Sequence, residues 1–191
     1  METFETQTKK NFSKLLTTHK ITDEEIKQNL KNGLTATAGI VFIKEKYPFH
    51  YAVHLAESIT TKAKNLTNRE KSGVLFYKVK DSFVNSYDDI IDNELKPKGF
   101  DFLSGPYDIN GIEDLLDKVE NMKKDDFPKG ALRELLTTMY QNVEKANFKW
   151  SRILKVNKNN NSFKKLGFKE NLEENSTIYD LITIDSLTTE N

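Results

Sequence analysis

The sequence predicts an α+β chain in which a strand, helix, strand unit is followed by helices, and three observations carry that prediction. Apolar residues alternate at Leu34, Ala36 and Ala38 and then run unbroken through Ile40-Val41-Phe42-Ile43, the pattern of an interior strand buried on both faces. Ala52, Leu55, Ala56, Ile59 and Ala63 then recur at helical spacing to about Asn65, and Val74 to Val79 is a second short apolar run bounded by Ser72-Gly73 and Asp81. Beyond Pro106 the apolar positions keep only the helical period.

The elements follow in order. Phe4, Phe12, Leu15 and Leu16, then Ile26 and Leu30, are spaced for one stripe on each of two helices, the second capped by Thr22 or Asp23 and ended by Gly33. Lys44-Glu45-Lys46 supplies a charged turn before the third helix. From Asp81 to Pro106 the chain is polar and holds Pro97, Gly99, Gly105 and Pro106, which reads as a connector with a short helix near Tyr87 to Leu95. Ile112, Leu115, Leu116, Val119 and Met122 describe an amphipathic helix with Asp108 or Asn110 as cap. Pro128 suits the first turn of the next, because it has no amide hydrogen to leave unsatisfied. That stripe runs through Leu132, Leu135, Leu136, Met139, Val143, Ala146, Trp150, Ile153 and Leu154, which predicts one helix of about six turns. Asn157 to Ser162 is low-complexity and expected to be mobile, and Ile178, Leu181 and Ile182 mark a last short helix.

Composition excludes some chemistry. The 191 residues include 29 basic and 29 acidic side chains, so no whole-protein field draws the chain toward nucleic acid or an anionic membrane. With no cysteine, disulfides, thiolate catalysis and cysteine-held metals are excluded. No apolar run approaches the roughly 20 residues needed to span a bilayer and the polar N-terminus lacks a signal-peptide core, so a cytoplasmic location is expected.

Thr37-Ala38-Gly39 on the strand, Tyr47-Pro48-Phe49 at the helix start, Ala63-Lys64 near its end and Lys71-Ser72-Gly73-Val74-Leu75-Phe76 at the next strand follow one another in a telling order. Gly105-Pro106-Tyr107, Leu115-Leu116, Phe127-Pro128-Lys129, Leu132-Arg133-Glu134-Leu135 and Ile178-Tyr179-Asp180-Leu181-Ile182 continue it. Together they resemble the second palm half and helical domain of the large subunit of type III CRISPR effector complexes, over roughly Leu34 to Leu187. The resemblance implies a ferredoxin-like, nucleotidyl-cyclase-like half followed by an α-helical domain: a partial palm over residues 1–80, a connector over 81–106 and helices over 107–191. It implies a role in antiviral defence, in ATP binding and cyclic oligoadenylate synthesis within an assembly. Thr37, Ala38, Gly39 and Lys64 would be the nucleotide-facing residues, because they match the family's Ser-Ala-Gly and Ala-Lys motifs. Phosphoryl transfer needs carboxylates that hold metal ions on the triphosphate, and the family's Gly-Gly-Asp-Asp turn has no counterpart in this sequence. That turn would come from a preceding portion of the same protein or from another chain. ATP and Mg²⁺ are therefore expected only in the complete assembly, with neither held tightly by this chain alone, and the isolated chain is expected to be inactive. Expected partners are other subunits of such a complex or the missing palm half, with guide and target RNA reached only indirectly and no membrane involved.

Each of these residues also has a plain structural reading. A lysine at a helix end is most often a solvated surface group, and Ala36, Ala38 and Gly39 can serve simply to let a helix approach the strand. His50 and His54, four apart on a helix, could share a metal ion, but no third ligand is evident in the sequence. Asp88-Asp89 and Asp125-Asp126 could hold Mg²⁺, yet both stand where helices begin, at the positive end of the dipole. With one tryptophan and no basic clustering beyond Lys145, Lys149 and Arg152, direct RNA recognition is a minor reading. The rival to nucleotide chemistry is an inert interaction module. With only two strands evident, a homodimer through the Leu34 to Ile43 edge is a further expectation.

Overall fold

The computed structural model describes residues 2–19, 23–80, 86–124 and 127–189. It is 64% helical with one small parallel two-stranded sheet, an α+β arrangement. The chain forms two compact units, Met1–Tyr77 with Gly105–Ile109, and Lys78–Ser104 with Asn110–Asn191.

In the first unit, helices α1 (Glu2–Thr18) and α2 (Glu24–Asn32) precede strand β1 (Thr37–Phe42), helix α3 (Phe49–Leu66) and strand β2 (Gly73–Lys78). The Asp23 carboxylate accepts from the Ile26 amide and opens α2; the alternative cap, Thr22, lies outside the described residues. Gly33 ends α2 at φ +74°, a left-handed conformation that a side chain would strain, and a Cβ there would also meet Lys9 Cγ at 2.7 Å. Pro48 stands at the entry of α3, and Ala52, Leu55, Ile59 and Ala63 are its buried face. β2 lies between β1 and a single antiparallel bridge at Tyr107, where Val74 and Tyr107 exchange both backbone hydrogen bonds at 2.8 and 2.9 Å.

β1 is not the doubly buried interior strand its apolar run predicts. None of its six residues is fully buried, and Ile40 remains 41% exposed, as does Ile43 beyond it at 38%. Among the described residues β1 pairs with β2 alone, so it has one neighbouring strand and one covering helix.

The second unit holds α4 (Tyr87–Ile90), which runs into a wider π turn at Ile91–Leu95, then α5 (Ile109–Met122), α6 (Lys129–Gln141), α7 (Val143–Val156), α8 (Asn161–Lys164) and α9 (Ile178–Thr189). Residues 86–104, polar in overall composition, still bury Tyr87, Ile90, Ile91, Leu95, Phe100 and Phe102. The predicted six-turn helix is two helices. Asn142 breaks it with extended backbone (φ −153°, ψ 117°), and its side chain accepts from the Lys145 amide to start α7. A residue that caps so well competes with helix continuation even inside an unbroken apolar stripe. The asparagine-rich stretch forms a pair of caps: Asn157 Nδ2 donates to Ile153 O at 2.8 Å, and Asn160 Oδ1 accepts from the Phe163 amide at 2.9 Å.

The core of this unit is complete. Leu132, Leu135, Ala146, Ile178 and Leu181 have no exposed surface, and Trp150 is 1% exposed. α9 is buried on most sides and carries two carboxylates inward, Asp180 and Asp185. Asp185 is held by Lys129 Nζ at 2.7 Å and Arg133 Nη2 at 2.9 Å, the partners a buried charge requires. No helix of the described residues is long and apolar enough to cross a membrane.

Candidate functional site

The residues that the sequence singles out for nucleotide binding lie on β1 and α3, and the parallel crossover decides how they meet. Strands β1 and β2 are parallel, so α3 returns antiparallel to them, and the C-terminal end of α3 comes back to the N-terminal end of β1. Contacts at that end bear this out. Thr35 Oγ1 donates to Arg69 O at 3.2 Å, the Ala36 amide donates to Ser72 Oγ at 2.9 Å, and the Gly73 amide donates to Ala36 O at 3.1 Å. Thr37 and Lys64 therefore lie at the same end of the unit.

Ala38 and Gly39 do not join them in one surface. A Cβ on Gly39 would come within 2.5 Å of Ala56 O and 2.6 Å of the Thr60 amide nitrogen, so Gly39 is the point of closest approach between β1 and α3. Its neighbour Ala38 points to the opposite face, since side chains alternate along a strand. That opposite face carries an aromatic row: Phe42 and Phe76 meet edge to face at 6.4 Å, and Phe76 stacks on Tyr107 at 6.0 Å.

Electrostatics at the Thr37 and Lys64 end are mixed. Lys64 is exposed in the last turn of α3, beside the helix's own carbonyls. A lysine there is favoured by the negative end of the helix dipole, which equally disfavours an anion. The following turn has left-handed backbone at Asn68 (φ 51°) and Arg69 (φ 60°). Its amides are already occupied: those of Thr67, Asn68, Arg69 and Glu70 donate to Ala63, Asn65, Lys64 and Thr67 carbonyls at 3.0–3.2 Å. The turn is thus no backbone cradle for phosphate. What this end offers is side-chain charge from Lys64, Arg69 and Lys71, none with a carboxylate partner among the described residues, and the Thr37 hydroxyl.

The other constellations separate. His50 is exposed with its ring 4.0 Å from that of Tyr51, and His54 Nδ1 is 3.8 Å from Glu57. No group of three or more His, Asp and Glu side chains among the described residues is placed to hold a metal ion. Asp88 and Asp89 stand in the first turn of α4, where Ser86 Oγ accepts from the Asp89 amide at 3.1 Å and donates to the Asp89 carboxylate at 2.7 Å; this is capping geometry. Asp125 and Asp126 lie outside the described residues.

Sequence reasoning missed a polar network in the second unit. Lys80 Nζ lies 4.5 Å from the Tyr179 ring centre and 3.6 Å from Glu94, and Tyr140 OH donates to Glu94 O at 2.8 Å. Burial, with the Glu94 charge behind it, holds the Tyr140 phenol protonated well above the usual tyrosine range. Burial does the same for Tyr87, helped by Asp180 and Asp88. Both phenols stay neutral, and that of Tyr140 acts as a donor. The chain matches no known protein family and no curated protein.

Proposed function

We propose that this chain is the second palm half and helical domain of an antiviral nucleotidyl-cyclase-like assembly of the type III CRISPR large-subunit kind, and that it faces the triphosphate of ATP with Thr37 and Lys64. The observation that carries the reading is that these two residues, 27 positions apart in sequence, lie at one end of the β1–α3–β2 unit. A lysine there meets a phosphate as a mobile point charge and a threonine hydroxyl as a donor. The occupied amides and the unfavourable dipole make that contact weak unless a metal-held triphosphate is delivered from another part of the assembly. In this reading the chain's part is to bind and orient the triphosphate.

The test is ATP affinity of the complete assembly with Mg²⁺, wild type against Lys64→Ala. Loss of one charge-assisted phosphate contact costs on the order of 1.5–3 kcal/mol, so affinity should fall about 10- to 150-fold while thermal stability is unchanged. Unchanged affinity would leave Lys64 a solvated surface group. The isolated chain, incubated with ATP and Mg²⁺ or Mn²⁺, should form no oligoadenylate; product would overturn the assignment of metal ligands to another part.

The exposed Ile40 and Ile43 favour a second reading, an interaction module whose β1 edge recruits a further strand from another copy or subunit. In that case Ile40→Lys should abolish a dimer seen by light scattering, and ATP affinity should not respond to Lys64→Ala.

A further inference from the structure

The N-terminal half of α3 carries an outward arc that the proposed ATP contact does not use. Ala52, Leu55, Ile59 and Ala63 are turned inward, so the helical period of about 3.6 residues puts His50, His54 and Glu57 on the opposite side, on three successive turns. All three are exposed, His54 and Glu57 with 79% and 71% of their side-chain surface open. The chain has three histidines, and two of them are gathered here.

Residues four apart on a helix stand one above the other, with about 5–6 Å between their Cβ atoms. Two imidazoles so placed can close on a single metal ion. The structure adds what the spacing alone does not: His54 Nδ1 lies 3.8 Å from Glu57 Oε2. A histidine that ligates a metal through one ring nitrogen characteristically presents the other to a carboxylate, which fixes its tautomer and the plane of its ring. Glu57 follows His54 along the helix while His50 precedes it, so the carboxylate serves Nδ1 without entering the gap between the two rings. His50 rests with its ring 4.0 Å from that of Tyr51. Tyr51 is itself an exposed neighbour on the same helix, so swinging His50 toward His54 uncovers no core.

We propose that His50 and His54 form a binding site for a divalent first-row transition-metal ion, with Glu57 as the positioning carboxylate behind His54. Imidazole suits copper, nickel and zinc, whereas Mg²⁺ and Ca²⁺ take oxygen ligands. Two protein ligands leave the other coordination positions to solvent, so the site is open and its ion exchanges. Affinity follows the stability order of these ions, with Cu²⁺ above Ni²⁺ and Zn²⁺. Because both ligands belong to one helix, an ion held by them ties consecutive turns of α3 together and stabilises the folded chain by mass action. The inference rests on α3 alone and is independent of the role proposed for Thr37 and Lys64, whose metal is the hard Mg²⁺ of a triphosphate.

Calorimetric titration of the untagged full chain with Cu²⁺, Ni²⁺ and Zn²⁺, in a buffer that does not coordinate them, tests it. The wild type should take up one ion. His50→Ala and His54→Ala should each weaken binding about tenfold or more, because the second imidazole no longer acts at a high effective concentration. His19→Ala, which removes the histidine that follows α1, should leave binding unchanged. Glu57→Gln should weaken it about tenfold at the same stoichiometry. All these side chains are exposed, so the variants should keep the wild-type circular dichroism. Thermal melting gives a second readout: excess Ni²⁺ should raise the melting temperature of the wild type and leave that of His50→Ala where it is. Binding that survives the loss of either helix histidine, binding lost equally in His19→Ala, or no uptake with the metal in excess would overturn the site and return the two rings to an ordinary solvated face. Wild-type affinity in Glu57→Gln would overturn the positioning role given to that carboxylate.

Discussion

β1 and α9 both carry closely spaced apolar residues, and these end in opposite situations. Ile178 and Leu181 of α9 have no exposed surface, while Ile40 of β1 keeps 41% of its own. The difference lies in what surrounds each run. α9 is enclosed within a unit of packed helices, whereas β1 has α3 on one face and β2 on one edge. Apolar content sets how much a segment gains from burial, but the number of neighbouring layers sets how much of that gain is realised. The helical unit buries its apolar residues within itself; among the described residues the sheet unit leaves an apolar strand paired along one edge alone, the condition in which another chain is recruited.

The sharpest way to break this comparison is to delete core volume in each unit. Trp150→Ala should destabilise the helical unit by about 3–5 kcal/mol, and Ile40→Ala should shift stability by no more than about 0.5 kcal/mol, both read by urea unfolding followed by circular dichroism. Comparable losses would mean that β1 is covered in solution. Next in size is Gly39→Ala, whose added methyl meets backbone atoms of α3 at 2.5–2.6 Å and forces strand and helix apart. Overpacking of this kind costs about 1–3 kcal/mol, and a neutral result would show that the sheet unit yields more readily than its geometry suggests. Smallest is a dependence on alkaline pH. The phenols of Tyr87 and Tyr140 titrate above their ordinary value of 10.0 in the folded protein. Their contribution is fully present below pH 10 and is lost as pH rises beyond it, because the unfolded chain releases those protons first. Tyrosinate absorbance should therefore show two phenols ionising only as the helical unit unfolds; smooth titration of all seven tyrosines near pH 10 would place no phenol in a protected site.

Much of the order of elements was legible in the sequence, because periodicity reports which residues share a face. The strand, helix, strand unit, the Gly33 stop and the closing helix follow from it directly, while the cap of α2 stays open between Thr22 and Asp23. The misreadings share a cause: pattern describes one segment at a time. The Ile40-Val41-Phe42-Ile43 run looks doubly buried only if a second layer exists to bury it, and that is a property of other segments. The stripe from Leu132 to Leu154 hides its break because Asn142 sits on the polar side, where helix and cap predict the same character. Within the candidate site the convergence of Thr37 and Lys64 follows from a right ordering of elements, but the separation of Ala38 from Gly39 required knowing which strand face α3 covers.

The shared hydrogen bond of Trp150 has a practical consequence. It is the single tryptophan of the chain, it is nearly sealed from water, and its indole is tethered to the backbone carbonyls of Lys169 and Glu170. The protein thus carries one native indole fluorophore, confined to one of its two units. Its emission colour reports on the docking of residues 163–170, and it is silent about the sheet. Excitation of the indole and far-ultraviolet dichroism, followed side by side during a melt, would separate the unfolding of the two halves without any label.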